Sequence, residues 1–230
     1  MTDINQHVLE IRYKPDSKVL DYRGLWAKMI SDHMKLPDWR IIENRADIFD
    51  SDSQERAFVG FRNCGFITYD VQTKYYFPDK AIKFIDFLFT LDGFEKSPYI
   101  ERIGVRSKFC KKYDGSFEDL KNMYTTNYLT LTEKAIKVID ANLLDIGGPL
   151  NFKDKNGYFN TMSGPMKNEQ MKEFFDNVEE PPAVGLYFDI DYWLTPKKEL
   201  IDREIKNHIN IFASDGWKRF ENISKLILGE

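Results

Sequence analysis

The chain has 230 residues, 42% of them hydrophobic and 30% charged, with a net charge of -4. That length buries a core without disulfides or metal, and the composition excludes a disordered chain. The acidic balance gives no support to a general nucleic-acid binder, and two cysteines, Cys64 and Cys110, give neither a disulfide framework nor a metal-binding CxxC pair. The segment Met1 to Leu9 carries Asp3 and lacks an apolar signal-peptide core, and no apolar run approaches the roughly 20 residues of a membrane helix. The expectation is a cytoplasmic protein.

In chain order, a first strand is expected over His7 to Tyr13, where Leu9, Ile11 and Tyr13 alternate with Glu10 and Arg12. A helix follows near Leu20 to Met34, with Leu25, Met29 and Ile30 on one stripe and Trp26 beside it. Trp39 to Phe49 and Arg56 to Val71 read as an antiparallel pair joined by the polar loop Asp50-Ser51-Asp52-Ser53. Asp79 to Leu91 reads as a helix whose apolar stripe is Ile82, Ile85, Phe87 and Phe89.

Tyr99 to Phe109 is the next strand, with a turn at Asp114-Gly115. Ser116 and Asp119 have the spacing of a helix cap, and Thr130 with Glu133 forms a capping box before a helix over Lys134 to Leu144. Gly147-Gly148-Pro149 ends that helix. Leu150 to Met166 reads as a hairpin turning at Lys155-Asn156-Gly157. A short helix over Asn168 to Asn177 and the linker Glu179-Glu180-Pro181-Pro182 lead to a strand over Ala183 to Leu194. Thr195 and Pro196 predict the start of a last helix carrying Leu200, Ile201, Ile205, His208, Ile209 and Phe212. It is expected to bend or break at Asp215-Gly216 and to resume with Trp217, Phe220, Ile223 and Ile227.

Strands joined by hairpins with helices interspersed irregularly predict an α+β fold: one domain over 1–230 on a mostly antiparallel sheet, in two packed halves of about 1–115 and 116–230, with a long C-terminal helix.

No P-loop, GxGxxG or GxSxG pattern occurs, and His7, His33 and His208 lie far apart. His208 reads as a core or interface side chain, and Cys64, without a neighbouring His, as structural. No catalytic residue and no cofactor are expected. Two strand motifs remain. In Tyr187-Phe188-Asp189-Ile190-Asp191-Tyr192-Trp193, Asp189 and Asp191 share one face, about 7 Å apart, opposite Phe188, Ile190 and Tyr192. Such a pair could hold a divalent metal for phosphate or nucleotide chemistry if a third oxygen ligand joined it. In Glu101 to Phe109, Arg102, Gly104, Arg106 and Lys108 share a face opposite Ile103, Val105 and Phe109. That basic face could take phosphate, nucleic acid or an acidic partner, or pair across the sheet with the aspartates. The favoured expectation is cross-sheet pairing. The candidate binding residues are Arg102, Arg106, Lys108, Asp189 and Asp191.

A family resemblance rests on five segments: Val8-Leu9-Glu10-Ile11-Arg12-Tyr13, Phe84 to Phe89, Arg102-Ile103-Gly104-Val105-Arg106, Leu186-Tyr187-Phe188-Asp189-Ile190-Asp191, and a last helix with His208, Ile211 and Phe212. Together they resemble a sporadically distributed, uncharacterised bacterial family. The chain departs from its pattern at Ser107-Lys108-Phe109, where that family tends to have Tyr-Ile-Asn. The resemblance implies a mobile or defence-associated setting and carries no activity, cofactor or catalytic residue. The resulting expectation is a non-enzymatic component of a bacterial conflict system: an antitoxin, immunity protein or defence accessory. A protein partner is expected; a homo-oligomer is compatible.

Overall fold

Among the described residues nine antiparallel strands form one sheet, and the first of them in the chain lies at its centre. The computed structural model describes residues 4–94, 99–130, 137–139, 141–175, 178 and 180–229. In chain order these form β1 (Ile4–Tyr13), α1 (Lys18–Met34), β2 (Asp38–Ile42), β3 (Arg45–Asp50), β4 (Glu55–Gly60), β5 (Asn63–Tyr69), α2 (Tyr76–Leu88), β6 (Ile100–Lys112), α3 (Phe117–Asn127), β7 (Gly148–Lys153), β8 (Tyr158–Lys167), α4 (Asn168–Phe174), β9 (Val184–Leu194) and α5 (Asp202–Leu228). The spatial order is β2-β3-β4-β5-β1-β6-β9-β8-β7. The α+β class and the long C-terminal helix are as the sequence predicts. On either side of the central β1–β6 pair, a strand and helix lead into antiparallel strands, the last of which returns to pair with the first.

Period-2 alternation decides which face each strand buries. Leu9, Ile11 and Tyr13 of β1, Ile103, Val105 and Phe109 of β6, and Phe188, Ile190 and Tyr192 of β9 all enter one core. Helices α1, α2 and α5 cover it. Phe109 stacks on Phe220 of α5 at 4.5 Å, and Tyr192 lies 4.3 Å from Phe212.

Several expectations need correction. Trp39 to Phe49 is not one strand but the hairpin β2–β3, and Arg56 to Val71 is the hairpin β4–β5. Glu43-Asn44 and Phe61-Arg62 make those turns without a glycine, so the turn signal was weak. Helix α1 buries Val19, Trp26, Ala27, Ile30 and Met34, whereas Leu25 and Met29 are exposed. Helix α2 starts earlier, with Pro78 in its first turn, where a missing N–H costs no helical bond. Its buried face is Phe77, Ala81, Phe84, Ile85 and Leu88, while Ile82 and Phe87 pack at the rim.

Neither Thr195 nor Pro196 starts the last helix. It begins at Asp202, where Glu204 in the first turn accepts the Ile201 N–H at 3.1 Å. Nor does it break at Gly216. That residue lies against the sheet: a Cβ there would be 3.4 Å from Ser107 Oγ and 3.5 Å from Ile190 Cγ2.

The Ser116–Asp119 cap on α3 forms as a reciprocal box, with Asp119 N–H donating to Ser116 Oγ at 3.1 Å. The β7–β8 turn also forms, with Asp154 Oδ1 accepting the N–H groups of Asn156 and Gly157. Glu133 of the expected capping box and residues 134–136 and 140 of the helix expected over Lys134 to Leu144 lie outside the described residues; 137–139 are helical, but 141–147 are not, so the helix does not run to Leu144. Helix α4 ends at Phe174. No helix among the described residues is long and apolar enough to cross a membrane.

Candidate binding face of the sheet

The second face of the sheet lacks the four larger helices. Among the described residues only α4 lies against it, at one end, where Met171 and Phe175 pack on Cys110 and Tyr187. The candidate residues fall on the rest of this face because β6 and β9 are neighbours, with Arg106 opposite Asp191 and Lys108 opposite Asp189.

The ion pairs nevertheless run along the diagonal. Arg106 grips Asp189 with Nη2 at 2.6 Å from Oδ2 and Nε at 3.0 Å from Oδ1. Arg102 places Nη2 at 2.8 Å from both oxygens of Asp191 and Nη1 at 3.3 Å from Glu10 on β1. Glu10 also accepts from Arg12 at 2.8 Å and from Asn63 at 2.9 Å, which extends the network over four strands. The hydrogen-bonded carboxylate of Asp189 holds the Arg106 guanidinium even more firmly protonated than usual, against the opposing effect of burial. Gly104 makes room for this packing: a Cβ there would come within 3.2 Å of Arg102 Nη1 and 3.1 Å of Trp193 Cβ. The Arg102 guanidinium lies over the Trp193 ring at 5.4 Å.

The structure thus joins four of the five candidates. Lys108 is the exception. Its ammonium donates to the Phe174 carbonyl at 2.8 Å and sits over the Phe174 ring, so it anchors α4 to the sheet.

A cleft of about 320 Å³ opens beside the network, lined by Arg106, Asp189, Asp191, Asn151, Asn160 and Met162. No group of three or more His, Cys, Asp or Glu side chains with metal-binding geometry occurs among the described residues. Both oxygens of each aspartate already accept from arginine. A metal at Asp189 and Asp191 would have to displace two charge-assisted bidentate pairs, which are among the stronger hydrogen bonds available.

Sequence reasoning missed a second cluster on this face. Asp47 of β3 is fully buried and ringed by Arg45 at 2.8 Å, Arg56 at 2.7 Å and Arg40 at 3.3 Å. Burial works to raise its pKa, but the hydrogen bonds and charges of Arg56 and Arg45 outweigh that and hold it below the usual carboxylate value. The cluster exists only through the β2–β3–β4 register, which faces Arg40 to Asp47 and Asp47 to Phe58. Read as one unbroken strand, Trp39 to Phe49 hides it.

The histidines and Cys64 do not join this face. His7 is fully buried on the helix side and donates to or accepts from Ser107 Oγ at 2.8 Å. Burial drives the Cys64 thiol well above its ordinary pKa, which fits a structural role. His208 lies against Phe212 in α5, where burial lowers its pKa.

Neither protein-family models nor curated proteins give a match to the chain.

Proposed function

We propose that the chain is a non-enzymatic binding protein that holds a protein partner on the uncovered sheet face, through an acidic segment of that partner. The observation that carries this is charge placement. Arg12, Arg40, Arg45, Arg56, Arg102 and Arg106 share the face with Glu10, Asp38, Asp47, Asp189 and Asp191, so it is arginine-rich on a chain whose net charge is -4. Arginines held in place by carboxylates are pre-organised, so little side-chain entropy is lost when a partner docks. The rims of the face carry exposed Tyr158 and Met162, residue types suited to contact surfaces.

The same geometry weighs against the metal-dependent enzyme. Asp189 and Asp191 are engaged by Arg106 and Arg102 rather than presented together to a cation. The biological setting, an antitoxin, immunity or accessory role in a bacterial conflict system, rests on the family resemblance alone.

Fluorescence anisotropy of a labelled poly-glutamate peptide tests the reading at low and high salt. Saturable binding is expected, weakened by salt and lost when Arg12 and Arg106 are both replaced by Gln. Two other probes give the opposing outcomes. A saturable melting shift with magnesium or manganese, abolished by Asn at both Asp189 and Asp191, would establish the metal enzyme instead. Tighter binding of a single-stranded oligonucleotide than of the peptide would replace the protein partner with nucleic acid.

A further inference from the structure

The two ends of the sheet are unlike. Strand β7 at one end carries Pro149 and Lys153, residues that discourage another strand from adding to an edge. Strand β2 at the other end, Asp38-Trp39-Arg40-Ile41-Ile42, has neither Pro nor Lys, and all five of its residues are exposed. Its outer backbone groups have no strand beside them among the described residues. Trp39 is 45% exposed, and Ile41 and Ile42 are also open. On α1, which packs against β2 and β3, Leu25 and Met29 stand one turn apart; Leu25 is 56% exposed. An edge strand with unpaired backbone and a flanking apolar surface is a template for strand addition.

We infer that β2 pairs with β2 of a second copy of this chain, joining two nine-stranded sheets across a two-fold axis. The charge pattern of the strand selects the second copy and its register. In a two-fold antiparallel pair, facing residues must point to the same side of the joined sheet, so the axis passes through a residue pair. Centring on Arg40 would set two guanidiniums face to face, and centring on Ile41 would oppose Trp39 to Glu43. Centring on Trp39 sets Asp38 of one protomer opposite Arg40 of the partner subunit, twice, with the two tryptophans together on the helix side; Pro37, just before β2, then faces Ile41 and ends the pairing, which is confined to Asp38, Trp39 and Arg40. Opposite charges directly across strands stabilise the pair, as do aromatic neighbours. Arg40 is suited to this because its ion pair to Asp47 leaves its side chain 59% exposed.

This inference does not rest on the binding reading: Asp38 and Arg40 lie where the sheet edge meets the arginine-rich face, but the dimer is made by the edge strand, and the peptide test acts at Arg12 and Arg106 instead. Sedimentation velocity over a wide concentration range tests it, with circular dichroism confirming the fold of each variant. The native chain is expected to sediment as a dimer. Ile41→Lys, at an exposed position on the edge strand, is expected to leave only monomer. Asp38→Arg and Arg40→Asp are each expected to be monomeric alone and to recover a dimer when mixed one to one. In the mixture each new charge faces an opposite one, and the native Asp38 and Arg40 still meet across the interface. A native chain that stays monomeric at every concentration overturns the proposal. A dimer that survives Ile41→Lys overturns it as well, because the contact then lies elsewhere. A mixture that stays monomeric overturns the register. Should Arg40→Asp fail to fold through its loss at Asp47, Trp39→Lys takes its place: a dimer unaffected by that change refutes the pairing.

Discussion

His7 and Ser107 face each other across β1 and β6 with Nδ1 and Oγ 2.8 Å apart, and the imidazole is wholly buried between Phe77, Phe109 and Trp217. Its Nε2 has no hydrogen-bond partner among the described residues, nor has the Trp217 indole N–H or the neighbouring Thr68 hydroxyl. A Ser–His pair of this kind, closed off from solvent, supplies tertiary fit at the middle of the sheet rather than a nucleophile.

The first prediction follows from that burial, which pushes the His7 pKa down to about 3. The unfolded chain takes up this proton near pH 6.5, and the folded chain does so only near pH 3. Acid therefore favours unfolding: the penalty is absent well above pH 6.5, grows as pH falls below it, and levels off near pH 3. Between pH 7 and pH 5 this one group should remove about 2 kcal/mol of stability. Urea denaturation at the two pH values measures it. The difference should shrink in His7→Gln, whatever that change costs at pH 7, and an unchanged difference would mean that His7 titrates normally in the folded protein.

The second prediction concerns Arg106 and Asp189. A double-mutant cycle with Arg106→Gln and Asp189→Asn should give a coupling of about 1 kcal/mol, because the pair is bidentate but the arginine is half exposed. Arg106→Gln alone should be the costlier single change, since it leaves the buried carboxylate of Asp189 without its cation, whereas the half-exposed guanidinium can turn to water when Asp189 is replaced. A coupling indistinguishable from zero would place the two side chains apart in solution.

Gly216 gives a prediction with the opposite sign. The space for its Cβ is ordinary van der Waals contact with Ser107 and Ile190. Gly216→Ala should therefore stabilise the protein by about 0.5–1 kcal/mol, the helix-propensity gain, and raise the melting temperature. A drop in stability would show that α5 lies closer to β6 than these distances allow.

The start of α5 separates two residues that sequence reasoning ranks the other way. Thr195→Ala should leave the denaturation midpoint where it is, because Thr195 lies outside the helix. Glu204→Ala should lower it, since Glu204 accepts the Ile201 N–H and pairs with Lys198 at 2.9 Å. The Lys198 hydrogen bond and then the Ile201 N–H hold the Glu204 pKa below its ordinary value, so this contribution is present at neutral pH and fades as acid protonates the carboxylate. Equal responses of the two variants would refute the boundary.

Much of this was legible where one physical rule dominates. Alternation alone put Ile103 and Val105 in the core and Arg102 and Arg106 on the other face, and Asn156-Gly157 marked its turn. The partners in the ion pairs were not legible. Arg106 sits opposite Asp191 yet binds Asp189, while Asp191 is taken by Arg102, four residues along the same strand. Long side chains reach diagonally, and that choice depends on register, twist and the gap at Gly104. The Asp47 cluster required two registers, β2–β3 and β3–β4, to be known together. Leu25 and Met29 misled because apolar residues at helical spacing do not say which of them meet the core; α1 turns Val19, Trp26, Ala27, Ile30 and Met34 inward instead.

The central place of β1 also bears on how the chain is made. Residues 4–94 contain five neighbouring strands, β2-β3-β4-β5-β1, with their two helices. A nascent chain can assemble this half while the ribosome is still adding β6, but the half then ends in a naked β1 edge whose later partner lies about a hundred residues downstream. Until β6 emerges, that edge is open to β1 of another nascent chain. Slow translation or a chaperone acting over residues 95–112 would have its largest effect there, on yield rather than on the stability of the finished protein.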